Sequence, residues 1–262
     1  MKPVLALLTL AALVPAAERQ FTYTLESNVL APKEKEIEIQ TTHKAGRDYY
    51  YRASEQKFEL EVGVAPHLQA AVYLVFAAEN SKKDGESLKK SDTVKGWAGE
   101  LKYQLTDAAA DPIGSALYGE LYLGAHETKG EAKLILDRQV GDWLAAINLV
   151  AEVAQANDPD VTHPELEANL VGGLSKRLGS GLSAGLEGQL VNEWVNEDND
   201  GYEREKSVIS AGPVIHWANE ALWASATVMP QIVSLKKPED GGRLDLDHAE
   251  RIQARLIVGT HF

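Results

Sequence analysis

The 262-residue chain has no cysteine, only two methionines and four phenylalanines, and few basic residues: 26 Lys and Arg stand against 39 Asp and Glu. Without cysteine no disulfide can staple the fold, so an exported version of this chain must rely on a large, self-sufficient sheet or core. The formal net charge of -13 argues against nucleic acid, whose phosphates are bound by basic stripes. Beyond residue 17 no segment approaches 18 uninterrupted apolar residues, which excludes a transmembrane helix.

The one apolar run stands at the start. Met1-Lys2-Pro3 is followed by Val4 to Val14 and then by Pro15-Ala16-Ala17. A single positive charge, a short apolar stretch and a small-residue exit predict a secretory signal peptide over residues 1–17, cleaved near residues 16 to 18. The run is too short to cross about 30 Å of hydrocarbon as a helix. Removing Lys2 with it takes the net charge from -13 to -14.

The remainder alternates with a period of two, the side-chain period of a strand. Ile252, Ala254, Leu256, Val258, Thr260 and Phe262 form one face of the last segment, and Arg251, Gln253, Arg255 and His261 the other. The same alternation recurs from Ile37 and Ile39 onward and predicts about twelve strands, an even number as in single-chain bacterial membrane barrels. Connections alternate between short turns, such as Ala65-Pro66-His67, and longer loops, such as Glu79 to Thr93; His126 to Gly130 is short where a long loop is expected. Trp97, Trp143, Trp194 and Trp217 fall near strand ends, as an aromatic girdle at two membrane boundaries requires.

On the opposite faces stand Glu36, Glu38, Glu59, Glu61, Glu100, Glu120, Glu152, Glu167 and Glu187, with Lys102, Lys133, Arg251 and Arg255. Polar residues inside and apolar residues outside invert a soluble barrel. These thirteen are the expected lumen-lining set: the carboxylates either face water or pair with cations across strands, because a dry unpaired carboxylate is costly. The expected fold is all-β: a transmembrane, antiparallel, up-and-down barrel over residues 34–262, preceded by an N-terminal segment, 18–33. That segment reads as a periplasmic tail, a plug or an added strand.

Other chemistry is thin. Asn196, Asp198, Asp200 and Gly201 follow the start of a calcium-loop pattern, but Ser207 stands where the bidentate Glu belongs, and no metal or other cofactor is expected. The seven histidines sit in no barrel-enzyme motif, and Ser207 and Ser210 have no evident histidine beside them, so no catalytic residues are assigned. The run from Lys82-Lys83-Asp84 to Lys89-Lys90 reads as a solvated loop or a contact to lipopolysaccharide phosphates.

Four phrases carry a family resemblance: Phe21-Thr22-Tyr23-Thr24 with Leu30-Ala31-Pro32-Lys33; Pro66-His67-Leu68-Gln69-Ala70; Asp111-Pro112-Ile113-Gly114 with Leu117-Tyr118-Gly119-Glu120; and Lys133-Leu134-Ile135-Leu136. In these the chain resembles a family of uncharacterised, porin-like outer-membrane β-barrel proteins of Gram-negative bacteria. The C-terminal strand ending on Phe262 likewise resembles the signal read by the barrel-assembly machinery. The resemblance implies outer-membrane lipid and lipopolysaccharide as surroundings and brings no catalytic residue. The resulting expectation is a narrow passive channel for small solutes or ions with an acidic, cation-favouring lumen. A structural barrel without transport and a lipid-modifying enzyme are the alternatives.

Overall fold

The computed structural model describes residues 19–157, 164–196, 201–238 and 241–262. The expected signal peptide, His163, Asp198 and Asp200 lie outside them. Twelve alternating segments form twelve strands: β1 (Lys35–Ala45), β2 (Tyr50–Ala65), β3 (Leu68–Lys82), β4 (Lys89–Thr106), β5 (Gly114–Gly124), β6 (Glu127–Val140), β7 (Trp143–Ala156), β8 (Glu165–Gly179), β9 (Leu182–Val195), β10 (Glu203–Ala218), β11 (Leu222–Ser234) and β12 (Ile252–His261). Each pairs antiparallel with its neighbours in sequence, and β12 returns to β1 from Glu36↔His261 to Ala45↔Ile252, closing the barrel. The Phe262 amide finishes the seam by donating to the Lys35 carbonyl at 3.0 Å.

Local chemistry places the turns. At the Phe262 end, β8 and β9 are joined by Ser180 (φ 51°) and Gly181 (φ 75°), both left-handed. A two-residue hairpin needs that handedness to match the twist of its strands. A Cβ on Gly181 would overlap the Ala218 carbonyl, so glycine is required there for space as well as conformation. Most of the longer connections lie at the opposite end; the exceptions are the short link of Ala125 and His126 between β5 and β6 and the long one, residues 107–113, between β4 and β5 at the Phe262 end.

Alternation sorts the faces. Ile37, Leu60, Val72, Leu101, Leu121, Leu149 and Leu186 are exposed on the outside, while Glu36, Glu38, Glu59, Asn148, Ser175 and Glu187 are buried inside. Among the described residues no helix is long and apolar enough to cross a membrane. Trp143 and Trp217 are exposed near strand ends and Trp194 is half-buried at the long-loop end of β9, whereas Trp97 is exposed midway along β4, because that strand runs on to Lys89 beyond the expected loop boundary. Trp223 instead points inward and is fully buried.

Leu149 lies midway along β7 on the outer face. Replacing it with Arg should cost about 2–4 kcal/mol in lipid vesicles, as expected for a cation at mid-membrane depth. Urea unfolding of the vesicle-inserted barrel checks this; a loss no greater than that of Leu149→Ala would count against a lipid-facing β7.

Candidate functional site in the lumen

The N-terminal segment enters the barrel at the Phe262 end, where the Lys33 amide donates to the Gly63 carbonyl at 2.8 Å and the Gly63 amide to the Glu34 carbonyl at 3.0 Å. Gly63 has no side chain because one would strike the carbonyls of Leu30 and Ala31. Residues 19–30 then run inside the lumen without forming a strand. Phe21, Thr22, Thr24 and Leu30 are fully or almost fully buried.

Irregular backbone removed from water must find partners, and the wall supplies them from side chains. Glu187 on β9 accepts from the amides of Thr22 (3.1 Å), Tyr23 (2.7 Å) and Thr24 (2.7 Å), and from the hydroxyls of Thr22 (2.9 Å) and Thr227 (3.0 Å). Asn148 on β7 binds Leu25 on both sides, accepting from its amide at 2.6 Å and donating to its carbonyl at 2.9 Å. Asp137 accepts from the Ser27 amide at 3.1 Å and Gln69 from the Leu30 amide at 2.9 Å. Arg255 donates to the Thr22 carbonyl at 3.2 Å and lies 3.7 Å from the centre of the Tyr23 ring.

Apolar anchoring comes from two patches, the second made by Leu25 against Ala116, Tyr118 and Ile135. Phe21 packs with Leu144, Ala146 and Val214, and its ring occupies the space a side chain at Gly173 would need. At the segment's start, Arg19 reaches Glu38 at 3.3 Å.

Beyond this floor lies a chamber of about 400 Å³. Its carboxylates are Glu59, Glu61, Glu100, Glu120, Glu131, Glu152, Glu167 and Glu250, and its cations Arg19, Lys44, Lys57, Lys102, Lys129, Lys133, Lys206 and Arg255. Eight face eight, so the chamber itself carries no formal excess of negative charge. Several are paired: Lys133 with Glu131 at 2.8 Å, Lys129 with Glu152 at 3.6 Å, and Lys206 with Glu193. Glu120 accepts from Tyr73 at 2.7 Å and Tyr118 at 2.6 Å. Residues His248, Ala249 and Glu250, from the connection before β12, cover the far side, and Arg47 ties Glu250 down at 2.8 Å.

Of the lumenal set read from the sequence, Glu59, Glu61, Glu100, Lys102, Glu120, Lys133, Glu152, Glu167 and Arg255 line this chamber. Glu36 and Glu38 are buried in the wall, while Glu187 faces the segment. Arg251 is the correction. It precedes the first residue of β12, its backbone bridges Gly46 and Gln231, and its side chain is exposed at the long-loop rim. Parity alone had carried it inward past the end of the strand.

Sequence reasoning also missed Lys44, Lys57, Lys129 and Lys206, although each shares the parity of a neighbouring inward Glu or polar residue. It missed a buried serine–histidine pair as well: His216 Nδ1 lies 2.9 Å from Ser225 Oγ on the facing strand. The Ser225 hydroxyl donates to the Arg19 carbonyl.

A family of unknown function, DUF6662, matches residues 13–262. No curated protein matches the chain. Among solved structures, the barrel is similar to the translocator domain of the autotransporter NalP from Neisseria meningitidis (TM-score 0.53, 11% identity, 88% of this chain and 89% of that one). It is also similar to the β-domain of the Bordetella autotransporter Brka (TM-score 0.52, 11% identity, 88% of this chain and 100% of that one). The KdgM porin aligns with a TM-score of 0.48 at 9% identity over 87% of this chain and 99% of that one. The chain thus has the fold of bacterial outer-membrane barrels.

Two outcomes follow from the way the segment is held. Glu187→Ala strands three backbone amides, each costing on the order of 1 kcal/mol or more. Amide exchange at Thr22, Tyr23 and Thr24 should accelerate about tenfold or more, while exchange in the β-ladder stays unchanged; equal acceleration throughout the barrel would contradict a separable segment. Burial pushes the Glu26 carboxyl up from 4.5 to about 8, with Arg19 and the Gln20 amide opposing. A carboxyl raised on docking favours the docked state fully below pH 4.5, and that advantage is lost up to about pH 8 and then levels off. Proteolysis of the segment should therefore quicken across that window in the native chain and lose this dependence in Glu26→Gln.

Proposed function

We propose that this chain, which belongs to the family DUF6662, is an outer-membrane barrel forming a narrow passage for small polar solutes and ions, closed in this conformation by residues 19–30. The observation that carries the reading is the way the segment is held. Its backbone bonds to Glu187, Asn148, Asp137 and Gln69, all groups that water satisfies equally well when the segment leaves. The walls beyond it are charged and hydrogen-bonded, a surface suited to a wet lumen and not to a permanent dry core.

Selectivity follows from where charge is unbalanced. The chamber is balanced with Arg19, Glu59 and Glu61 counted in it, and the acidic excess comes from Glu36 and Glu38, buried in the wall at the Phe262 end. A passage past them favours cations. No enzymatic role is proposed, since His216 and Ser225 are both buried and the Ser225 hydroxyl is taken by the Arg19 carbonyl. A structural barrel without transport is the second reading, favoured by the completeness of the floor.

Planar-bilayer recordings separate the two. The full chain should conduct poorly, and a chain beginning at Ala31 should conduct steadily with cation preference in a salt gradient. A shortened barrel that folds and inserts but passes no current would leave the structural reading.

A further inference from the structure

We propose that the lumenal groove holding residues 19–30 is a binding site for short peptides supplied in trans, those with an aromatic side chain and an aliphatic one four positions further on. The inference rests on the segment being able to leave, as the passage reading requires, and it names the solute class that takes the segment's place.

What the wall grips is chiefly main chain. Gln69, Asp137, Asn148, Glu187, Ser225 and Arg255, spread around the barrel, bond to amides or carbonyls of the segment. Asn148 takes both the amide and the carbonyl of Leu25, the pairing a neighbouring strand would make. Main-chain groups are common to every peptide, so these contacts hold a chain in place without reading its sequence.

Sequence is read at two pockets. Phe21 enters one formed by Leu144, Ala146 and Val214, and Leu25 lies against Ala116, Tyr118 and Ile135. The wall is also cut to the peptide's shape. Gly173 lacks a side chain where a Cβ would strike the Phe21 ring, and Gly63 where one would strike the carbonyls of Leu30 and Ala31. Ahead of the aromatic, Glu38 meets the Arg19 guanidinium at 3.3 Å, so a cation two positions before it suits the site.

Residues 31–34 tether the segment to β1. A tether gives its own segment a high effective concentration, so a free peptide competes well only once that link is cut.

The test cuts the link in the folded barrel. A protease recognition sequence is inserted between Ala31 and Pro32, both exposed, and the full chain is cleaved after refolding in detergent. Fluorescence anisotropy follows labelled peptides, and gel filtration shows whether the cut segment comes off. A copy of residues 19–30 should bind the cut barrel saturably, and the uncut barrel about tenfold more weakly or worse. A peptide keeping only Arg, Phe and Leu at the places of Arg19, Phe21 and Leu25, with serine elsewhere, should bind within about tenfold of that copy. Phe21→Ala or Leu25→Ala in the copy should weaken binding about tenfold or more, as loss of a buried apolar side chain does.

Release of the cut segment with no binding of either peptide overturns this inference and leaves the passage reading standing. A cut segment that neither leaves nor exchanges overturns both. Equal binding of the Ala copies, or binding that cleavage does not improve, also refutes the site. If the inserted barrel fails to fold by gel mobility, the unmodified barrel decides: an excess of the copy should speed proteolysis of the native segment, and an unchanged rate refutes the proposal.

Discussion

Every feature of this molecule depends on closing the sheet between β1 and β12. In hydrocarbon an unpaired backbone amide or carbonyl costs several kcal/mol, so a strand edge facing lipid is intolerable and a spanning sheet must have none. The seam meets that demand residue by residue, with ten Cα partners from Glu36↔His261 to Ala45↔Ile252 and the Phe262 amide added at the end. The C-terminal residue is therefore part of the closure itself. Once the seam is fixed, register fixes every other strand, and period two fixes which side chains face in.

Closure creates the second constraint. The apolar side chains are committed to the outside, so the interior cannot be stabilised as an ordinary core. What fills it must satisfy polar groups, and the structure does so with ion pairs, tyrosine–carboxylate bonds and a borrowed length of backbone. Where an inward patch is apolar, as at Leu144, Ala146 and Val214, a single aromatic from the segment covers it. Where it is acidic, Arg19 is sent to it.

Strands, their number, their faces and the loop alternation were legible because each rests on a local pattern that survives any tertiary context. Arg251 shows the limit of that pattern: parity says which way a residue would point within a strand, but not where the strand stops. The chamber's balance was legible too, since Lys57 shares a face with Glu59 and Glu61, yet setting only Lys102, Lys133, Arg251 and Arg255 against nine carboxylates made the lumen look acidic. The lumenal segment was illegible for a different reason. Phe21, Tyr23 and Leu25 alternate briefly, but the partners that hold them lie over a hundred residues away at Asn148 and Glu187. Asn148, an amide on the inward face among Leu144, Ala146 and Val150, was the one local sign that the wall expects a polar visitor.

The two parts of the structure differ in what their hydrogen bonds are worth. A ladder bond between strands has no aqueous alternative while the barrel stays in lipid, so its loss costs the full penalty of an unmet group. A bond from the segment to Glu187 or Asn148 competes with water that can enter from either mouth, so its net value is nearer that of a bond in a soluble protein, about 1 kcal/mol. The ladder and the segment therefore differ in stability, and in the proposed reading the segment leaves while the strands remain paired. The segment's apolar contacts are made by Phe21 and by Leu25, which packs on Ala116, Tyr118 and Ile135, while carboxylates and amides of the wall hold much of its backbone.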